Sequence, residues 1–504
     1  MGIKKLTNLK LGEIGRQTIK GGYYTYLGTA LGFFFASIIQ PRVLTKEQIG
    51  AIGLLIAYSQ LLSVLGNLGV NTIITRLFPY FRNKDNGHNG LLAFSILIIS
   101  VGFLLCIVVF KLFGSILVSQ AETNNLFNQY IWLVYPLTLF VLFFRVGDAY
   151  NRALGNAVTG SLISEVIQRS ILIVFILLYT VIPFIDFDLY LKSYVMASGI
   201  STLLIFIYLK KRGELKWNIS AKFLRPKLRK VMYSVGGFSI LQGFGSVIIQ
   251  RIDTIMISFY LSLDETGVYF TTFFFGSIIL LPQRALSRIS SNVLAQALKD
   301  KDMRRVESVY KKSSINQLLL GVLLFVGIWG NIENCFHILT DRFQAGRYVI
   351  FFIGLANIVN ITIGLSNQII SLSKYYRYNA YFLTVFVVII VASNYLFIPP
   401  WGIVGAAVAS FTSTIIYSLI MLLFLYRKMK LLPLTINHLY IILIGIVTYF
   451  ISELLPELDH FVLDILVRSV LILFVYVVFV VVFKVSEEAS SIYKQLKNNF
   501  YPTR

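Results

Sequence analysis

A chain of 504 residues that is 57% hydrophobic and only 13% charged, with a mean hydropathy of +0.75, carries more apolar surface than a globular core can hide, which excludes a soluble protein and makes lipid its solvent. The formal net charge of +22 raises the question of nucleic acid, and the distribution of that charge along the chain decides it. The longest polar interval, Lys210 to Met232, is too short for a separate soluble domain, so a membrane bundle accounts for the architecture.

In chain order, residues 1–20 form a basic, amphipathic cytoplasmic tail with apolar Ile3, Leu6, Leu9 and Ile14. It lacks the short apolar core and cleavage site of a signal peptide, and lies on headgroups either as a short helix or as a tail held by charge. Apolar runs of about twenty residues follow, each able to cross roughly 30 Å of hydrocarbon as a helix. About fourteen are expected, centred near Leu31, Leu62, Phe103, Leu139, Val174, Ser201, Ile248, Ile279, Leu323, Val359, Val388, Ile415, Leu443 and Phe474. Pro136, Pro282, Gln60 and Asn71 interrupt several of them.

With the N-terminus inside, roughly 33 of the 45 Lys and Arg fall on the cytoplasmic side, about 6 outside and about 6 within spans. The clusters Lys210-Lys211-Arg212, Lys222 to Lys230, Lys299 to Lys312 and Arg427-Lys428-Lys430 are cytoplasmic, whereas external loops carry Asp186, Asp188, Asp264, Glu265, Glu453, Glu457 and Asp459. This is the positive-inside pattern together with attraction to anionic lipid, and no nucleic-acid partner is needed to explain it. Both termini are expected in the cytoplasm. Cys106 and Cys335 have no partner spacing, so neither a disulfide nor a metal site is expected, and His88, His337, His438 and His460 are expected as solvated residues near span ends.

An internal repeat is legible. Leu44-Thr45-Lys46-Glu47-Gln48-Ile49-Gly50 and Leu261-Ser262-Leu263-Asp264-Glu265-Thr266-Gly267 both fit L-[ST]-x-[ED]-x-x-G, each opening a helix after the first span of a six-span set. A hydroxyl followed by a carboxylate suits a helix start, where both satisfy free N–H groups. A reused capping turn would give the motif alone; its recurrence after six spans points to a duplication in parallel orientation.

The segment with QPRVLTKEQIGAIGLLIAYSQLLSVLGNLGVNTIITRLFP, between Gly28 and Phe81, resembles the opening of bacterial polysaccharide-unit (O-antigen type) flippases of the multidrug/oligosaccharidyl-lipid/polysaccharide exporter superfamily. RIDTIMISFYLSLDETGVYFTTFFFGSIILLPQRALSRISSNVLAQ resembles the start of that family's second lobe, and IPPWGIVGAAVASFTST the link between its eleventh and twelfth helices. The likeness covers roughly residues 20–430 and is a pattern of glycines, charges and hydropathy rather than an invariant signature. It implies an all-α integral membrane protein with two six-helix lobes around a central cavity, working by alternating access. The expected division is an N-lobe over 21–209, a basic cytoplasmic linker over 210–232, a C-lobe over 233–430, an added helix pair over 431–484 and a cytoplasmic tail over 485–504. The added pair matches the fourteen-helix branch that includes lipid II flippases, where it helps form a groove for the lipid tail.

Charges inside spans are costly and are retained where they pair, snorkel or line a wet cavity. Arg145, Arg169, Arg251, Arg284, Arg288 and Arg468 meet that description. Arg284 and Arg288 share a helix face and repel unless an anion sits opposite, although Arg288 equally suits snorkelling to the interface. Arg251 and Asp253 cannot share a face, so each needs a partner on another helix. Arg145 with Asp148 and Glu165 with Arg169 are spaced to pair within their own helices; Asp464 and Arg468 are spaced likewise and read as structural. The candidate substrate-binding residues are therefore Arg251, Arg284, Arg288, Arg145 and Arg169, holding a pyrophosphate, with Asp148, Glu165 and Asp253 for coupling or gating. No catalytic residue, metal or cofactor is called for. The substrate expected is a polyprenyl-pyrophosphate-linked oligosaccharide of O-antigen, capsule or exopolysaccharide. Its handlers, a polysaccharide polymerase and glycosyltransferases, are the expected protein partners, and membrane lipid is the solvent. The alternatives are a cation-coupled multidrug exporter, and an integral-membrane glycosyltransferase or polymerase using the external D-x-D of Asp186-Phe187-Asp188.

Overall fold

The computed structural model describes residues 13–118, 125–217, 226–486 and 488. The apolar positions Ile3, Leu6 and Leu9 of the N-terminal tail, much of the 210–232 interval and nearly all of the C-terminal tail therefore lie outside the described residues. What is described is helical, with no strand. Among the described residues, twelve helical segments are long and apolar enough to cross a membrane. Thirteen of the fourteen expected centres fall within them; Val388 and Ile415 share the 52-residue segment Tyr378–Met429, and Leu31 falls in none. The helix around Leu31 forms, but Tyr23, Tyr24, Tyr26, Thr25 and Thr29 dilute its apolar content. Thr25 and Thr29 donate to carbonyls one turn back, Gly21 O and Thr25 O, both at 2.8 Å.

The chain divides into two compact units, residues 1–267 and 268–504. In the first, α1 (Glu13–Phe34) runs into a π-helical turn at Phe35–Ile39, and α2 (Lys46–Asn67) and α3 (Val70–Phe81) follow. The α2–α3 segment is the most buried span, at 78% of its most apolar stretch, which makes it the unit's central post. It is jointed at Leu68 and Gly69, both left-handed (φ 47° and 77°). Around it stand α4 (Leu91–Val118), α5 (Val134–Ala153), α6 (Gln168–Val181), α7 (Phe187–Lys211) and α8 (Pro226–Tyr260).

The repeat motif behaves alike in its two copies. Gln48 N donates to Thr45 Oγ1 at 3.2 Å, and Glu265 N donates to Ser262 Oγ at 3.2 Å. Gln48 Oε1 also accepts from Thr45 N at 3.0 Å, completing a capping box. The two motifs also touch reciprocally. A Cβ on Gly50 would run into Leu263 O, and one on Gly267 into Lys46 O, and Lys46 and Leu263 hold the same third place in the motif. Glycine at the seventh place lets two backbones meet where any side chain would separate them.

In the second unit, α9 (Leu263–Ser277, beginning in the first) passes through a 3₁₀ turn to α10 (Leu281–Lys299), followed by α11 (Met303–Trp329), α12 (Ile332–Leu339), α13 (Arg347–Ile363) and α14 (Ser366–Leu372). Helix α15 (Tyr378–Met429) folds on itself at Gly402 (φ 57°), next to Pro399 and Pro400, because proline removes backbone donors there and only glycine takes that φ cheaply. The added pair, α16 (Ile436–Glu453) and α17 (Phe461–Val482), packs on α11 through Leu318, Val322, Val326, Ile441, Ile444, Ile472, Tyr476 and Val480. Since lipid is as apolar as these side chains, close fit and polar ties hold the pair. Tyr476 Oη donates to Leu319 O at 2.8 Å. Asp464 and Arg468 form an ion pair at 3.2 Å with side chains 7% exposed, and Arg468 Nη1 donates to Ser452 O at 2.8 Å.

Two histidines expected in solvent are buried. His88 lies 3.1 Å from Glu214, and His438 Nδ1 accepts from Thr435 N at 3.1 Å while its Nε2 meets Ser314 Oγ at 2.8 Å. His438 stands in the first turn of α16 and completes a capping box with Thr435, and His88 Nδ1 accepts from Asn83 N at 3.2 Å, so polarity near a span end signalled a local hydrogen bond rather than a solvated loop.

Candidate substrate site

Within the first unit, polar side chains from five helical segments converge at membrane depth. A π-helical turn at Leu162–Ile167 precedes α6 and carries Glu165, whose carboxylate pairs with Arg169 at 2.7 Å, as their spacing predicts. Arg169 also donates to Gly28 O on α1. Two glycines admit this pair: a Cβ on Gly28 would overlap Glu165, and one on Gly32 would overlap the Arg169 guanidinium. Gly28 and Gly32 thus form a small-x-x-x-small notch.

Arg251, half-buried on α8, donates from Nε to Oε1 of Gln60 on α2 at 2.9 Å. It makes no ion pair, and its two Nη groups make no hydrogen bond, with any described residue. Tyr194 of α7 stands near both Arg251 and Arg169. Asp253, two residues on, is buried.

Asp148 pairs with Arg152 rather than with Arg145, because i, i+4 brings the long side chain over the carboxylate and i, i+3 does not here. Arg145 is left half-buried on α5 without an ion pair among the described residues. No hydrogen bond or ion pair among the described residues joins Arg145 or Asp148 to Arg251 or Arg169. Arg284 and Arg288 stand on α10, but their side chains lie outside the described residues. Among the described residues, no group of three or more His, Cys, Asp or Glu could hold a metal ion.

Sequence reasoning missed Gln60, Tyr194, Gly28 and Gly32 as members of the cluster. Gln60 was visible only as a polar break in a span, and the glycine pair was legible as small residues one turn apart. Tyr194 carried no signal, being one of 29 tyrosines.

What the arrangement offers is two guanidinium groups, one paired with a carboxylate and the other held by a neutral amide with donors that meet no described residue. The fold is that of known transporters. It is similar to a lipid II flippase, MurJ, in an inward closed conformation (TM-score 0.73, 16% identity, 92% of this chain and 98% of that one). It is also similar to a multidrug resistance MATE family transporter of the MOP superfamily, facing inward (TM-score 0.63, 15% identity, 80% and 96%). A third similar structure is a MOP superfamily transporter from Pyrococcus furiosus described as having reversed binding-pocket polarity (TM-score 0.56, 15% identity, 83% and 96%). No curated protein sequence matches. The family model for polysaccharide biosynthesis protein matches residues 19–295, and the chain belongs to that family.

Proposed function

We propose that this protein flips polyprenyl-pyrophosphate-linked oligosaccharide units of O-antigen, capsule or exopolysaccharide across the bacterial cytoplasmic membrane by alternating access, with both termini in the cytoplasm. The observation that carries the proposal is Arg251: a guanidinium held in an apolar span by a neutral glutamine, with both Nη groups uncommitted. Keeping such a charge costs a few kcal/mol on insertion scales, and a pyrophosphate returns that cost through bidentate, charge-assisted hydrogen bonds.

In this reading Arg251 and Arg169 grip the pyrophosphate, and Arg145, Arg284 and Arg288 extend the anion path. The sugars traverse the polar interior while the polyprenyl tail stays in lipid. Asp148, Glu165 and Asp253 are the coupling or gating groups; Glu165 releases Arg169 when the anion takes its place. No bond is made or broken, so the protein is not an enzyme. Glycosyltransferases on the cytoplasmic side supply the substrate and a polymerase outside consumes it.

The likeness to MATE family transporters raises a drug exporter as a second reading, and one experiment separates the two. In cells whose own copy is deleted, Arg251→Met of normal abundance should fail to restore surface glycan and Arg251→Lys should restore it partly, because lysine keeps the charge without the fork. Full restoration by Arg251→Met would overturn the site, and a changed drug sensitivity with intact glycan would favour export of drugs.

A further inference from the structure

The second unit holds a charged cleft that the translocation site does not use. Its volume is about 450 Å³, and its charged lining is Arg304, Glu307, Lys311 and Lys312 of α11 with Lys484 and Glu488 beyond α17. On α11 the lining residues 304, 307, 308, 311 and 315 recur at helical spacing, so they form one face. One turn further along, Leu318, Val322 and Val326 of the same helix carry the apolar contact with α16 and α17. The cleft therefore opens where hydrocarbon-depth packing ends, at the lysine- and arginine-rich ends of these helices, which is headgroup depth.

Its walls are fastened to one another. Asn437 Nδ2 donates to Val485 O at 3.0 Å, Ser486 Oγ donates to Asn316 Oδ1 at 2.9 Å, and His438 joins Thr435 to Ser314 as described above. Three helix ends are thus held around a defined space.

Its charge is not balanced from within. Four cations face two carboxylates. Lys311 is paired with Glu307 at 2.6 Å, whereas Arg304 and Lys484 make no ion pair with any described residue. Thr435 and Asn437 bring the N-terminal turn of the 18-residue α16 into the lining, adding the positive end of a helix dipole.

We propose that this cleft is a phosphate-binding site between α11, α16 and α17, filled by the headgroup phosphate of an anionic membrane lipid. Free phosphate from solution has the same recognition chemistry, and the test separates the two sources. The proposal does not rest on the flippase reading, and either can fail alone.

The test uses the purified full-length protein in neutral detergent, titrated with dihexanoyl phosphatidylglycerol, with dihexanoyl phosphatidylcholine and with inorganic phosphate, following thermal stability. Wild type should bind the anionic lipid and not the zwitterionic one. Each basic side chain at a lipid surface is worth about a fivefold factor, so Arg304→Gln with Lys484→Gln should weaken binding roughly thirtyfold. Glu307→Gln, which releases Lys311, should strengthen binding about fivefold, a gain that misfolding cannot mimic. Arg427→Gln with Lys428→Gln, at the end of α15, should change nothing. Binding of inorganic phosphate with the same dependence on these variants, and no lipid response, would keep the site and assign it to free phosphate. The proposal is overturned if wild type responds to neither anion, if the Arg304 and Lys484 variant keeps wild-type affinity, or if the α15 control loses as much.

Discussion

Removing Arg468 while leaving Asp464 in place should be among the most damaging single changes in the second unit. The carboxylate accepts from Arg468 Nε at 3.2 Å, from Leu458 N at 3.2 Å and from Asn334 Nδ2, and the guanidinium continues to Ser452 O. Four segments are tied at this point: α12, the end of α16, the loop after it and α17. Arg468→Met strands a carboxylate that is nearly excluded from solvent, which costs about 3–5 kcal/mol. Asp464→Leu strands the guanidinium at a similar cost. Replacing both residues should be far milder than the sum, because a buried ion pair exchanged for apolar side chains is close to neutral. For a unit of this size each kcal/mol moves the melting temperature by about 2–4 °C, so each single variant should lose roughly 10 °C and the double variant only a few degrees. Thermal unfolding of detergent-solubilised protein, followed by size-exclusion recovery, measures all four corners of the cycle. Additive losses, or single variants indistinguishable from wild type, would show that the pair is not the tie described here.

Three further outcomes follow from close contacts. Gly50→Ala and Gly267→Ala each drive a Cβ onto a carbonyl of the other motif, so each should cost about 1–3 kcal/mol in thermal unfolding, with equal losses that do not add in the double variant. Gly28→Ala meets the backbone of Glu165, whereas Gly32→Ala meets only the movable end of Arg169, so the first should destabilise more than the second in the same measurement. Gln60→Leu removes the described acceptor that holds Arg251; a hydrogen bond to a charged group is worth about 1.5–3 kcal/mol, so the melting temperature should fall by roughly 3–12 °C and translocation should fall with it.

Much of this molecule is written in features of local chemistry. Hydropathy marks the spans because lipid leaves a chain no alternative to satisfying its backbone internally, and the motif at Thr45 and Ser262 announces helix starts because its hydroxyls cap them. Local chemistry also foretold the Glu165 and Arg169 pair and the Asp464 and Arg468 pair, each one turn apart. It pointed Asp148 to Arg145, three residues back, whereas the carboxylate takes Arg152, four residues on. Nor did it reveal that Arg251 reaches Gln60, 191 residues away in the chain, because contacts between helices depend on their rotation and depth, which no single helix encodes. The break at Gly402 was legible, since the two apolar runs read as two spans and the backbone leaves helical geometry between them. The buried histidines were misjudged because a polar residue at a span end reads alike whether it caps a helix or faces water.

The measurement that tests the central claim most directly is the leaflet distribution of undecaprenyl-pyrophosphate-linked oligosaccharide in cells lacking this protein, scored by access to an external lectin. A flippase predicts accumulation facing the cytoplasm, restored to the outer leaflet by the wild-type chain and not by Arg251→Met. Units that reach the outer leaflet in normal amounts without the protein would contradict it.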